Sequence, residues 1–198
     1  MKILTFTDLH GDMEILKELK PKSKETDFTI FAGDLTFFGE NLQKLLEELN
    51  KFHNKVLLIH GNHEDKEEMQ ELCKDFSNLE FISDKSYRIN NYLIFGYGDN
   101  GFSKKDKPFL KFAKKWAKEI KKDDTTILVS HGPPFETKQD LIFEEVHSGS
   151  IPVRDFLLKN KIDLCITGHI HENEGTTDKV GECTVINPGI ESITVEFN

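Results

Sequence analysis

Short apolar runs alternate with amphipathic stretches along most of the chain. The runs predict strands over Lys2–Thr7, Asp27–Ala32, Lys55–Ile59, Thr125–Val129 and Asp163–Thr167. Apolar residues at helical spacing predict helices over Asp12–Lys20, Glu40–Phe52, Asp65–Phe76, Lys107–Lys121 and Val153–Asn160. Strands that are apolar on both faces and are separated by single helices indicate a largely parallel sheet between layers of helices.

Two segments depart from this alternation. Ser86–Ile89 and Tyr92–Gly96 flank Asn90-Asn91 and predict a hairpin with a tight turn. Near the end of the chain, Cys183–Ile186 and Ser192–Phe197 predict a second, closing hairpin. Because the 198 residues contain no repeat and no obvious linker, we expect a single domain over residues 1–198 with an α/β layered fold.

Composition and charge narrow the classes of protein to which this chain can belong. No apolar run approaches the ~18 residues of a membrane span, and we expect no signal peptide. Three widely spaced cysteines predict reduced thiols and a cytoplasmic location. The formal net charge of −9 argues against long nucleic acid and membranes as partners. It permits an anionic small-molecule substrate, since bound cations reverse the field locally.

Residues that can bind metal follow five of the predicted strands. They stand in the segments Asp8-Leu9-His10, Gly33-Asp34, Gly61-Asn62-His63-Glu64, His131-Gly132 and Gly168-His169-Ile170-His171. Each segment alone has an ordinary explanation as a helix N-cap, a turn or a surface pair. However, the carboxyl ends of parallel strands meet at one rim of a sheet, where ligands bind. Taken together, the five segments predict a metal centre.

The number and the type of these ligands predict two metal ions. Six or seven ligands exceed the four that one tetrahedral ion accepts. Imidazole, carboxylate and amide ligands without a thiolate suit Mn, Fe, Zn, Co or Ni better than a structural zinc or a calcium site. A carboxylate such as Asp34 can bridge two ions roughly 3.5–4 Å apart. A water shared by such a pair loses a proton near neutral pH and becomes a nucleophile.

The ordered motifs DLH, GD, GNHE, HG and GHIH, from residue 8 to residue 171, resemble those of the calcineurin-like metallophosphoesterase superfamily. The segment His131–Asp140, followed by His147-Ser148-Gly149-Ser150, further resembles its small class III phosphodiesterase-like branch. The resemblance implies a four-layer αββα sandwich of two mixed sheets flanked by helices, which replaces the parallel sheet. It also implies two divalent ions, Mn by preference, with Fe, Zn, Ni, Co and Mg as the alternatives.

The resemblance also implies roles for single residues. One ion would be held by Asp8, His10 and His171, and the other by Asn62, His131 and His169, with Asp34 between the two. Asp34 and His63 would be the catalytic residues, and Asn62 and His63 would contact the substrate. His63 would stabilise the transition state or protonate the leaving oxygen. Glu64 is interpreted as a charge at a helix N-terminus.

Aromatic residues replace two polar groups that the superfamily's phosphoprotein phosphatases carry. Phe37 stands in place of the Asp that orients the catalytic His, and Phe38 in place of an Arg that grips phosphate. Since the whole chain contains two Arg, phosphodiesters are favoured over dianionic monoesters as substrates. Together with Phe102 and Phe135, these residues form an apolar wall for an organic leaving group or cover the edge of the core. His147 either approaches the substrate or is exposed to solvent.

We therefore expect a cytoplasmic, dinuclear-metal phosphoesterase that cleaves P–O bonds by attack of a metal-bridged hydroxide. Its substrate would be a phosphorylated small molecule or a nucleotide-like compound. The alternatives are a phosphomonoesterase or nucleotidase with the same site, a nuclease acting on a nucleotide or dinucleotide, and a non-catalytic protein-binding scaffold. The oligomeric state stays open.

Overall fold

A computed structural model describes residues 1–98, 101–143 and 146–197. In chain order, the helices and strands are β1 (Lys2–Phe6), α1 (Met13–Lys22), β2 (Phe28–Phe31), α2 (Leu42–Leu49), β3 (Lys55–Leu58), α3 (Lys66–Cys73), β4 (Leu79–Phe81), β5 (Lys85–Ile89), β6 (Tyr92–Tyr97), α4 (Phe109–Trp116), β7 (Thr125–Ser130), β8 (Leu141–Ile142), β9 (Val146–His147), α5 (Ile151–Lys159), β10 (Leu164–Ile166), β11 (Thr177–Val180), β12 (Cys183–Ile186) and β13 (Ile193–Glu196). Short 3₁₀ turns occupy Ser23–Glu25, Lys138–Asp140 and His171–Asn173.

Most strands belong to two mixed sheets. The first sheet has the order β13-β1-β2-β3-β4 and is parallel except that β13 runs antiparallel to β1. The second has the order β11-β12-β10-β7-β6-β5, with four parallel central strands and an antiparallel strand at each edge. Strands β8 and β9 pair with each other in a separate ribbon.

Three apolar clusters fill the spaces between the layers. Helices α1, α2 and α3 cover the outer face of the first sheet, and α4 and α5 cover the outer face of the second. Neighbouring residues of one strand enter different clusters, because strand side chains alternate between faces. In β1, Ile3 faces the other sheet and Leu4 faces the helices; in β7, Ile127 and Leu128 do the same. The four-layer αββα sandwich of two mixed sheets is confirmed.

Two details of the strand pairing differ from the sequence-based expectation. The hairpin of β5 and β6 is confirmed, but the closing hairpin is wrong. Strand β12 pairs with β11, which the sequence did not predict, and β13 crosses to the other sheet and pairs with β1. The apolar pattern indicates that a segment is a strand but carries no information on its partner. Strand β11 was missed because it is an edge strand with three polar residues in four.

The described residues contain no helix of the length and apolar character needed to cross a lipid bilayer. All three cysteines are buried and none forms a disulfide. Cys73, the last residue of α3, faces the first sheet, whereas Cys165 and Cys183 lie between the second sheet and its helices.

Candidate metal centre

The loops that follow β1, β2, β3, β7 and β10 meet at one edge of the sandwich. The expectation of one sheet rim is corrected, since the first three strands belong to the first sheet and the other two to the second. Helix capping does not use the candidate ligands. Asp12 caps α1 by accepting bonds from two backbone N–H groups, and Asp65 caps α3. Asp8 and Asn62, which precede these caps, are therefore available for other contacts.

Asp8, His10 and His171 form the first group of close donor atoms. The Nε2 atoms of His10 and His171 are 2.9 Å apart, and His171 Nε2 is 3.8 Å from Asp8 Oδ1. One ligand atom from each residue lies within 4.8 Å of the others. Asp8 is buried and its carboxylate accepts bonds from the His169 backbone N–H at 3.0 and 3.1 Å. These contacts orient the carboxylate toward the two imidazoles.

Asp34, His131 and His169 form a second group, in which one ligand atom from each residue again lies within 4.8 Å of the others. His131 Nε2 lies 3.4 Å from Asp34 Oδ2 and 3.1 Å from Asn62 Oδ1. Its other ring nitrogen contacts the Ala32 carbonyl at 2.9 Å, which directs Nε2 toward the site. Six of the seven candidate ligands expected from the sequence thus form two groups, and the seventh, Asn62, contacts His131 of the second group.

The side chain of Asp34, a member of the second group, also lies close to the first group and to His63. Its Oδ2 is 3.8 Å from His10 Nε2 in the first group, 3.4 Å from His131 Nε2 in the second, and 4.0 Å from His63 Nε2. Its Oδ1 accepts a bond from the His63 backbone N–H at 3.0 Å. One carboxylate oxygen therefore faces donors from both groups.

Buried polar atoms that lack a hydrogen-bond partner indicate whether these residues suit divalent cations. Both ring nitrogens of His169 are buried, and neither has a hydrogen-bond partner in the described part of the chain. Such a group is costly to bury, and a coordinate bond to a cation satisfies it. Burial lowers the pKa of His169 to about 4, so the ring is neutral and able to ligate near pH 7. The donor set fits divalent ions.

The charges of the site favour a cation as well. Burial raises the pKa of Asp8 to about 6, and the negative charge of Asp34 adds to this rise. Burial lowers the pKa of His131, but the Asp34 carboxylate outweighs it and raises the pKa of this imidazole to about 9. The Asp34 charge thus disfavours an ionised Asp8 and favours a proton on His131, and a bound divalent cation would offset the first effect and displace that proton.

The backbone of the site is strained at several ligands. Asp8, Asp34 and His169 have φ angles of 56°, 58° and 72°, in a region that non-glycine residues rarely adopt. Gly61 and Gly168 make room for the two carboxylates. A Cβ atom would lie 2.0 Å from Asp34 Oδ1 at Gly61, and 2.4 Å from Asp8 Oδ2 at Gly168. Strain of this kind persists where the surrounding structure enforces it, often at functional sites.

Glu64 has a role that the sequence interpretation missed. Its Oε1 accepts bonds from the backbone N–H and the hydroxyl of Thr36, at 2.8 and 2.7 Å. Its Oε2 accepts bonds from the N–H groups of Gly61 and Asp34, at 2.9 and 3.2 Å. The interpretation as a helix-end charge is wrong, since Asp65 caps the helix. Buried Glu64 instead joins the loops after β2 and β3. The sequence offered one indication of this: the next residue, Asp65, is itself a suitable helix cap, which leaves Glu64 free for another contact.

We expect Glu64→Gln to lower the free energy of unfolding by about 2 kcal/mol, because its amide NH₂ group meets N–H donors wherever it points. The displaced loops carry Asp34 and Asn62, so phosphoester hydrolysis is expected to fall about tenfold. Urea unfolding and steady-state kinetics measure the two effects. Glu67→Gln on the exposed face of α3 is the matched control. Wild-type stability in Glu64→Gln contradicts this role.

His63 lies between the two groups of donor side chains and the rings of Phe37 and Phe38. Its Nδ1 accepts a bond from the Phe38 backbone N–H at 3.3 Å, and its ring centroid is 4.3 Å from that of Phe38. The Phe37 ring lies 5.5 Å away. A backbone donor and a ring contact thus orient His63, where the phosphoprotein phosphatases use an Asp. Nε2 is left to face the site.

A cavity of about 600 Å³ opens over the two groups. It is lined by His10, Asp34, Phe37, Asn62, His63, Phe102, His169 and His171. Phe37 and Phe102 are 53% and 63% exposed, so they form apolar walls and do not cover the core. Phe38 packs on His63, and Phe135 lies elsewhere, against Lys104 and His147.

Comparisons with known proteins agree with this geometry. The calcineurin-like phosphoesterase family model matches residues 1–173. An uncharacterized protein of Methanocaldococcus jannaschii is 31% identical over 203 residues, covering 98% of this chain and 91% of that protein. The structure of a Thermus thermophilus protein (TT1561) superposes with a TM-score of 0.73 at 15% identity, covering 96% of this chain and 90% of that one. That of the Mycobacterium tuberculosis phosphopantetheinyl hydrolase gives 0.65 at 14%, covering 95% and 88%. The chain belongs to the calcineurin-like phosphoesterase family and is a metal-dependent phosphoesterase.

Proposed function

We propose that this protein hydrolyses phosphodiesters with two divalent ions held by the seven candidate ligands. Asp8, His10 and His171 would hold one ion, and Asn62, His131 and His169 the other, with Asp34 shared. The observation that carries the proposal is the position of Asp34 Oδ2, within 4.0 Å of the Nε2 atoms of His10, His63 and His131. When bound, such an ion pair supplies a water of lowered pKa and neutralises phosphoryl charge.

The protein's own groups position the substrate and help the leaving group. His63 Nε2 points into the cavity and donates a hydrogen bond to the phosphoryl or leaving oxygen, which gains negative charge as the P–O bond breaks. Asn62 contacts the phosphoryl group with its amide. Phe37 and Phe102 pack against the organic part of the substrate and exclude water from that side.

The preference for diesters is supported by the absence of arginine from the cavity lining. Arg88 pairs with Asp124 at 2.6 Å, and Arg154 donates to the backbone oxygens of Phe135 and Glu136. A monoester brings two negative charges near neutral pH and a diester brings one. A site whose positive charge comes from the bound ions, with no arginine beside them, therefore suits the diester. A phosphomonoesterase or nucleotidase with the same site is the second candidate.

Two aryl substrates test the proposed function. With added Mn, we expect turnover of bis(4-nitrophenyl) phosphate with a kcat/KM about tenfold above that of 4-nitrophenyl phosphate. A chelator is expected to abolish both activities. A reversed order of the two substrates supports the monoesterase. Failure to hydrolyse either with Mn, Fe, Zn, Ni, Co or Mg contradicts the proposal.

We further propose Mn as the native metal, a single domain over residues 1–198, and action in the cytoplasm. The family resemblance supports Mn, and oxygen and imidazole donors without a thiolate are compatible with it. Elemental analysis of protein purified without added metal tests the first point. One cooperative unfolding transition followed by two probes tests the second. Fractionation of the source cells tests the third.

A further inference from the structure

A second set of side chains lies beside the cavity and takes no part in the proposed mechanism. Phe102, a cavity wall, packs on the His169 ring with centroids 4.3 Å apart. Lys104 follows Phe102 by two residues, so their Cα atoms are at most ~7 Å apart. The Lys104 Nζ lies 5.0 Å from the Phe135 ring centroid. The Phe135 ring is 5.7 Å from that of His147. Lys104, Phe135 and His147 are called the distal patch.

His147 is held by a carboxylate that is fully buried. Asp140 Oδ1 lies 2.6 Å from His147 Nδ1 and accepts a bond from the Thr137 N–H at 2.9 Å. Its Oδ2 accepts bonds from the N–H groups of Glu136 and Gly149, at 3.1 and 2.9 Å. This network fixes the proton on Nδ1 and leaves Nε2 as the outward atom of a side chain that is 32% exposed. His147 is thus oriented, not merely exposed to solvent.

The backbones of the other two members are anchored to the start of α5. The Ile151 N–H donates to the Lys104 carbonyl at 3.1 Å, and Arg154 Nη1 donates to the Phe135 carbonyl at 2.8 Å. Buried Asp106 accepts bonds from the Tyr97 and Ser150 hydroxyls, at 2.6 and 3.1 Å. The loop that carries Phe102 and Lys104 is thereby tied to β6 and to α5. A ligand meets a preformed surface, which lowers the entropic cost of binding.

The distal patch presents the Lys104 ammonium group to solvent, whereas the carboxylate beside it, Asp140, is buried and paired with His147. The chain has a net charge of −9, yet the same loop also carries Lys105 and Lys107. The nearby Glu136 side chain lies 3.7 Å from Arg154, which offsets its charge. An ammonium group and an imidazole Nε2–H donor beside an aromatic ring are suited to a phosphate group, whose oxygens accept hydrogen bonds. His147 would bind the phosphate with a proton on both ring nitrogens, one donated to Asp140 and the other to the ligand.

We propose that the distal patch binds a second phosphate group of the substrate, and that the substrate is a nucleotide-like phosphodiester. The scissile phosphate would lie over the candidate ligands, the base or sugar would pack on Phe102, and the second phosphate would contact Lys104 and His147. This inference rests on the proposed function. It adds a substrate class, a nucleotide with two separate phosphates, that the catalytic residues by themselves do not select.

Two nucleotides that differ by one phosphate test this inference in a binding experiment. Calorimetry on Mn-loaded protein compares adenosine 5′-monophosphate with adenosine 3′,5′-bisphosphate. We expect the bisphosphate to bind about tenfold more tightly, and the advantage to shrink with added salt because a Lys contact is screened. In Lys104→Gln and in His147→Asn, the advantage is expected to fall to about twofold. Lys118→Gln, an equal change of charge on the exposed side beyond α4, is expected to keep it.

The outcomes distinguish failure of the second phosphate site from failure of the proposed function. Equal affinity of the wild type for the two nucleotides, or a tenfold advantage that survives both distal-patch variants, overturns the second phosphate site. Hydrolysis of the aryl diester combined with equal nucleotide affinities contradicts only the distal patch. Absence of any metal-dependent hydrolysis contradicts the proposed function itself. Melting curves confirm folding, and His147→Gln replaces His147→Asn if the latter unfolds.

Discussion

Asp34→Asn is expected to lower kcat/KM for an aryl phosphodiester by about 10³-fold, which corresponds to ~4 kcal/mol of transition-state stabilisation. Asp34 Oδ2 faces His10 in one donor group and His131 in the other. An amide in its place has the same shape but no negative charge, so it cannot bridge two dications. The metal content is expected to fall from two ions to one or none per chain, and elemental analysis measures this directly.

The fold is expected to survive this replacement. The Asn amide oxygen can still accept the His63 N–H that Asp34 Oδ1 now accepts at 3.0 Å. Asp27→Asn is the matched control, because Asp27 is exposed just before β2 and its side chain accepts the Lys2 N–H, far from the site. Full metal content with full activity in Asp34→Asn contradicts the bridging role.

Gly61→Ala is expected to disturb the site through one methyl group. A Cβ atom at this position lies 2.0 Å from Asp34 Oδ1 and 2.5 Å from the Asp34 backbone N. The contact atoms are backbone and an anchored carboxylate, so relief requires movement of the loop after β2. We expect a loss of ~3 kcal/mol in the free energy of unfolding. Activity is expected to fall about 100-fold, as for a ligand misplaced by about 1 Å.

Gly175→Ala is a reference for backbone strain without a steric contact, whereas Gly61 lies outside the left-handed region and its replacement adds the steric contact alone. Gly175 has a φ of +71° and no atom within 4 Å of an added Cβ, so its replacement costs backbone strain alone, about 1 kcal/mol. Denaturant unfolding and kinetics on both variants give the difference. If Gly61→Ala is no less stable and no less active than Gly175→Ala, the position of the Asp34 carboxylate does not depend on the close approach of the loop after β3.

Much of the fold and site follows from local pattern. Residues such as Ile3 and Leu4 are both apolar because two different layers cover the two faces of their strand. The sequence shows this apolar character directly, and it also shows that each candidate ligand segment follows the last apolar residue of a strand. Strand partners depend on contacts between distant residues. The pairing of β13 with β1 joins opposite ends of the chain, as in Lys2 with Glu196, and no local pattern encodes it.

The sequence by itself determined the helices, most of the strands and the set of ligand types that implied two metal ions and the family; it did not predict β4, β8, β9 or β11. Only the tertiary structure decided which sheet supplies each of these candidate ligands and that Glu64 joins two of the loops. It also gave the distances that separate Asp34 Oδ2 from His10 and His131, a position that the resemblance had implied. It also placed Lys104 and His147 beside Phe135, near the cavity wall. The physical reason is that local preferences act over a few residues, whereas hydrogen bonds to a buried carboxylate depend on where separate loops finally pack.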